Sequence, residues 1–199
     1  TLLFITLCGL ACVIAVWAMC VVPKVPALPR RRSTVVDLVR RLTRREFLVP
    51  TLVLAASTAA LSVGVGFLPI LAAEAGTNAF VSGAIVSALA ACAALAPPWA
   101  GRALDARRLT YRAGAAIGLS LCAAGFAVAA AVAGPAGLLV GAIAIGAGAG
   151  MVTPLGFAAL AGSTPAERLG ETMGSAEVGR ELGDAGGPLV VGAIAAAAT

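Results

Sequence analysis

Gly101-Arg102-Ala103-Leu104-Asp105-Ala106-Arg107-Arg108-Leu109-Thr110-Tyr111-Arg112 orients the rest of the chain. On each side lies an apolar run of about 20 residues, enough to cross the hydrocarbon core of a bilayer as a helix. A charge held at mid-bilayer costs about 2.5–3.5 kcal/mol even on the lenient insertion scale. The stretch therefore reads as a turn at a membrane surface. Arg102, Arg107, Arg108 and Arg112 outnumber Asp105 within it, and an excess of arginine marks the cytoplasmic side.

Composition points the same way. The chain of 199 residues is 60% hydrophobic and 12% charged, with a mean hydropathy of +1.01; soluble domains carry about 25% charged residues. These values predict an all-α, polytopic membrane protein. The net charge of +5 does not indicate nucleic-acid binding, because the basic residues fall in the connectors between apolar runs. Histidine is absent, which removes the commonest metal ligand and the usual general base. Cys8, Cys12, Cys20, Cys92 and Cys122 all lie inside apolar runs and read as small packing residues, with no C-x-x-C pair among them. No paired carboxylates, His/Cys cluster or nucleophile elbow appears in the spans, so neither an enzyme nor a metal or cofactor site is expected.

In chain order, residues 1–22 form a first span closed by Pro23. Residues 23–46 form a basic connector, in which Ser33 or Thr34 would cap a short amphipathic helix lying on anionic head groups. Further spans are expected at 47–71, 79–98, 113–133, 137–161 and 173–199. Pro69 should kink or stop the second of the six, and Gly134-Pro135-Ala136 should make a minimal turn. Of the 14 Lys and Arg residues, eight lie in 23–46 and four in 101–112, while Arg168 and Arg180 border the last cytoplasmic turn. None lies in the two opposite turns, so the cationic connectors all face the cytosol across a plasma membrane. Both termini fall inside apolar runs, which makes the chain read as a fragment.

The glycines Gly146/Gly150, Gly137/Gly141, Gly114/Gly118, Gly179/Gly183 and Gly183/Gly187 have the small-x-x-x-small spacing that lets helix backbones approach in lipid. Gly146-Ala147-Gly148-Ala149-Gly150 is no dinucleotide fingerprint, because Met151 stands at the third glycine and no strand precedes it. Glu177, Arg180, Glu181 and Asp184 recur at i, i+3, i+4 and i+7 on one helix face. Two readings fit this face: a solvated or snorkelling helix end, or an ion-pair cluster that holds a cytoplasmic gate or relays a proton.

Gly174, Gly183, Gly187-Pro188 and Gly192 reproduce the pattern G-x8-G-x3-G-P-x2-G-G except at Val191. This run resembles the antiporter motif of the major facilitator superfamily, in particular that of bacterial drug-efflux members. Gly101-x3-Asp105 with Arg107-Arg108 is similar to the family's loop motif, although Ala106 replaces a basic residue and Arg108 a glycine. Ala142 stands where the family's fourth-span motif would place a buried arginine. These departures imply the second of two six-span halves. Span one would then be the sixth span of the parent, residues 23–46 its central loop and 47–199 its C-terminal bundle, with a final span and the N-terminal bundle lying outside the sequence.

The resemblance implies proton-coupled efflux of hydrophobic or drug-like small molecules; a uniporter or importer on the same fold is the alternative, and a non-transport membrane subunit a weaker one. It makes Asp105 the anion of a cytoplasmic latch, with Gly101, Arg102, Arg107 and Arg108 around it, although such arginines also anchor loops to lipid phosphates. It further implies a cavity lined by Thr51, Ser57, Thr58, Ser62, Thr153 and Phe157. Serine and threonine in membrane helices commonly satisfy backbone carbonyls instead. The implied partners are the bilayer, a small-molecule substrate, a proton and the N-terminal bundle.

Overall fold

The computed structural model describes residues 2–21, 37, 40 and 42–197, which divide into the units Thr1–Arg31 and Arg32–Thr199. The first unit contains α1 (Leu2–Val21), a helix without a charged residue. The second contains α2 (Arg45–Glu74), α3 (Ala79–Asp105), α4 (Tyr111–Ala131), α5 (Pro135–Ser163) and α6 (Leu169–Ala197), the last preceded by a 3-10 turn at Ala166–Arg168. The expected amphipathic helix of the connector lies mostly outside the described residues.

Helices α1 to α5 are each long and apolar enough to cross a membrane. Helix α6 has the length but not the composition, because it carries Glu171, Glu177, Arg180, Glu181 and Asp184. The all-α, multi-pass architecture is as the sequence predicts. Several boundaries are not. Helix α2 runs through Pro69 to Glu74, and α3 runs through Pro97 and Pro98 to Asp105. An internal proline costs about 3 kcal/mol, but packing beyond it offsets this. Ala72 is fully buried after Pro69; after Pro98, Ala100 is fully buried and Leu104 packs beside Met151 and Leu155. Gly101, Arg102 and Asp105 are thus helical, and the turn narrows to Ala106–Thr110. Pro135 is the first residue of α5 rather than part of a turn, a position where its missing N–H costs nothing.

Side-chain caps start two of these helices. Asn78 Oδ1 accepts the Val81 N–H at 2.9 Å, and Thr110 Oγ1 accepts the Ala113 N–H at 3.3 Å. Helix α5 is the hub, with 61% of its apolar window buried against 39% or less in the other spans. Two glycine faces explain its position. A Cβ on Gly141 would sit 2.7 Å from the Gly125 carbonyl of α4, and one on Gly150 would sit 2.6 Å from the Ala93 carbonyl of α3. Gly146 meets Leu89 of α3 in the same way, and Gly148 meets Gly118 of α4. Apolar side chains fill the spaces between. Leu68, Ala72, Ile85, Leu89, Leu138, Ala142 and Ile145 form one cluster, while Leu54, Leu160 and Ala176 join α2, α5 and α6 in another.

The buried Ala142 answers a point raised by the sequence. At 0% exposure between Leu68, Ile85 and Leu138, it leaves no space for the arginine that the fourth-span motif would place there.

Adding a side chain at the α4–α5 contact should separate the two backbones. Gly148→Val is expected to lower stability by about 1–3 kcal/mol. Gly162→Ala, where nothing lies within 4 Å, is expected not to lower it. Thermal unfolding of the purified protein in detergent measures both.

Candidate functional site

Three features bring the expected functional residues together: the α3–α4 turn, the face of α6 against α2, and the charged flank of α6. The turn is closed by backbone bonds. The Ala106 N–H donates to the Arg102 carbonyl at 3.0 Å and the Arg108 N–H to the Ala103 carbonyl at 2.9 Å. Arg107 takes the left-handed conformation at φ 54°, which costs a residue bearing a Cβ about 1–2 kcal/mol. The strained position is therefore Arg107, whereas the glycine of the loop motif would fall on Arg108. Asp105 is exposed at the end of α3, and among the described residues no ion pair links it to Arg102, Arg107 or Arg108. A latch at Asp105 accordingly needs a partner from another segment or another conformation of the loop.

Helices α2 and α6 meet through a ladder of close contacts. Gly179 lies on Thr51, Gly183 on the backbone of Ala55 and Gly187 on that of Ala59. A Cβ on Gly187 would stand 2.8 Å from the Ala59 carbonyl oxygen. Both helices advance by four residues per contact and so run parallel, ridge to ridge. Of the motif glycines, Gly183 and Gly187 therefore make this contact, whereas Gly174 and Gly192 have nothing within 4 Å. Pro188 lies inside α6 without ending it.

The charges occupy a different side of α6, turned by roughly a third of a revolution from the glycine ladder. The Arg180 guanidinium lies between two carboxylates. Its Nε donates to both Glu177 oxygens at 3.0 Å, and its Nη2 reaches Glu177 at 2.6 Å and Glu181 at 2.5 Å. The Arg180 side chain is 28% exposed, against 46% for Glu177 and 57% for Glu181. Asp184 is exposed and makes no ion pair among the described residues. The flank thus sets three carboxylates against one guanidinium, all on one helix.

The hydroxyl residues expected in a cavity divide into two groups. Thr51, Ser57 and Thr58 are buried and bond their own helix: Thr51 Oγ1 donates to the Phe47 carbonyl at 2.8 Å, and Ser57 and Thr58 to the Leu54 carbonyl at 2.9 and 2.8 Å. The helix backbone thus accepts these donors, as the alternative reading of the sequence holds. Ser62, Thr153 and Phe157 are half-buried. Thr153 also bonds back, to the Ala149 carbonyl at 3.2 Å, and Phe157 packs beside Leu54, Leu160 and Ala176. Sequence reasoning did not separate these groups, because serine and threonine have the same composition whichever helix face they occupy. It also missed the polar cavity where the chain enters α2, whose lining comes from segments more than 100 residues apart.

Two sets of substitutions test this geometry. Gly183→Val is expected to destabilise the α2–α6 contact by about 1–3 kcal/mol, while Gly174→Ala and Gly192→Ala, in open space inside a helix, should leave the unfolding midpoint the same or raise it. Arg107→Gly should raise the unfolding midpoint by relieving about 1 kcal/mol of backbone strain; Arg107→Val should lower it.

Among the described residues, no group of His, Cys, Asp or Glu side chains is placed to hold a metal ion. No curated protein and no solved structure matches the chain. The model of the Major Facilitator Superfamily matches residues 51–199, which include the α3–α4 turn, the glycine ladder and the charged flank. A match over most of the chain, on a multi-pass helical bundle, places this protein in the major facilitator superfamily of transporters.

Proposed function

We propose that the chain forms the C-terminal bundle and central connector of a proton-coupled exporter of hydrophobic, drug-like small molecules. It would work by alternating access in a bacterial plasma membrane, with its basic connectors in the cytosol. The observation that carries this reading is the division of labour on α6. Gly183 and Gly187 of the antiporter-like motif hold the helix against α2, while Glu177, Arg180, Glu181 and Asp184 stay outside that contact.

A contact made through glycine can slide without unlocking large side chains, and charges on a free flank can exchange partners as the bundles rock. Length supports a spanning role for α6. Its 29 residues at about 1.5 Å each exceed the roughly 30 Å hydrocarbon core by about two turns. The acidic first turns can then stand in the head-group region while Asp184 enters the core. The choice of an apolar substrate rests on α2 and α5. Helix α5 carries no charged residue, and the charges of α2 are confined to its ends, at Arg45, Glu46 and Glu74. Ser62, Thr153 and Phe157 are the half-buried candidates to face such a substrate.

The test is proton-driven efflux by the full-length protein in inverted membrane vesicles, using a lipophilic fluorescent substrate. A protonophore should abolish accumulation. Accumulation indifferent to the proton gradient would favour the uniporter or importer reading. Asp105→Asn at normal expression should lower transport by about tenfold, within the range of a conformational coupling energy. Wild-type transport in that variant would remove Asp105 from the gate.

A further inference from the structure

Tyr111 is the only tyrosine in the chain, and it occupies a place that a phenylalanine would fill. Its ring packs with Leu104 and Leu109 against Ala100, Met151 and Leu155. Its hydroxyl oxygen is buried and finds no hydrogen-bond partner among the described residues. A hydroxyl taken from water and left unbonded destabilises the conformation that holds it, so the tyrosine needs an explanation that a phenylalanine would not.

The segment packed beside the ring holds together as one piece. The N–H groups of Ala106, Arg107, Arg108 and Leu109 donate to the carbonyls of Arg102, Ala103 and Leu104 at 2.9–3.1 Å, which ties the turn to the end of α3. Helix α4 starts separately, at its Thr110 cap. Upstream, Pro97 and Pro98 have no N–H, so the carbonyls of Ala93 and Ala94 lose their helical donors. The ladder of α3 is thus weakest just before residues 99–109. This segment has two faces. Ala100, Leu104 and Leu109 join the apolar cluster, whereas Arg102, Asp105, Arg107 and Arg108 are exposed. Among the described residues, no side-chain hydrogen bond or ion pair fastens it to α5. Apolar contact alone holds it down, and the unbonded hydroxyl works against that contact.

We infer that residues 99–109 form a flap hinged at Pro97 and Pro98, and that Tyr111 is the positioning residue that keeps it poised to open. Closing the flap shuts the hydroxyl away from water; opening it returns the hydroxyl to water. Asp105 and the three arginines ride on the same rigid segment, so they move together when it lifts. The inference does not rest on the substrate, direction or coupling of transport.

The test is the rate at which a maleimide labels a single cysteine in the purified full-length protein. The native cysteines, Cys8, Cys12, Cys20, Cys92 and Cys122 among them, are replaced by alanine. Ala100→Cys then puts a thiol on the inner face of the flap, at a position of 0% exposure, where labelling reads the open fraction. Leu104→Cys does the same if Ala100→Cys fails to fold. Tyr111→Phe keeps the ring, removes the hydroxyl and should slow labelling by about tenfold. Pro97→Ala/Pro98→Ala, which restores two N–H donors, should slow it as well. A protein keeping Cys122 as its one cysteine, buried between α4 and α5 away from the flap, should label at the same rate with or without Tyr111→Phe. Unchanged or faster labelling under Tyr111→Phe would overturn the inference, because the hydroxyl would then have a partner, such as a water, in the closed flap. Equal slowing at Cys122 would overturn it too, since the whole bundle would have tightened. Labelling indifferent to the double proline variant would remove the hinge, and the flap with it.

Discussion

The structure depends on bare backbone meeting bare backbone. In lipid no hydrophobic force draws helices together, because the tails are as apolar as the side chains. Dispersion must do the work, and it falls off steeply with distance. Gly118 against Gly148 and Gly125 against Gly141 bring α4 within reach of α5, and Leu89 and Ala93 of α3 lie directly over Gly146 and Gly150. A side chain at any of these positions would push the helices apart and forfeit the close contacts along their length.

From this constraint follows a division of the bundle. Helix α5 lies between α3 and α4 and is fixed on two sides, whereas α6 is held chiefly through one ladder on α2. The arrangement is reciprocal. Helix α3 runs parallel to α5 in four-residue steps, and α6 runs parallel to α2 in the same way. Helices α3, α4 and α5 form the better-fixed part of the bundle, and the charges sit on α6, which has fewer contacts.

The charged elements share one physical problem, which is where to put ions next to lipid. Around the α3–α4 turn the solution is exposure: Asp105 and its neighbouring arginines lie outside the packed helices. On α6 it is local neutralisation, with Arg180 bonded to Glu177 and Glu181 on its own helix. A pair within one helix survives movement of that helix as a rigid body. Pairs between helices do not, so an intrahelical pair suits an element that moves as a unit. At the entrance to α2, charged side chains of both signs line a cavity.

The sequence by itself determined the all-α class and the long apolar helices of a multi-pass membrane protein. These follow from segment length and from the cost of a charge in hydrocarbon, both of which are properties of local composition. It also located the close-packing glycines, because a four-residue spacing on a helix is one face. Only the tertiary structure decided which partner each glycine meets: Gly183 and Gly187 lie on α2, while a Cβ on Gly174 or Gly192, in the same motif, would find open space. The same holds for the prolines at 69, 97 and 98, which do not stop their helices because Ala72, Ala100 and Leu104 are anchored beyond them. It holds again for Thr51, Ser57 and Thr58, whose hydroxyls are taken up by their own helix in buried interfaces. In each case the outcome depends on what lies opposite a residue, and what lies opposite comes from a segment distant in the chain.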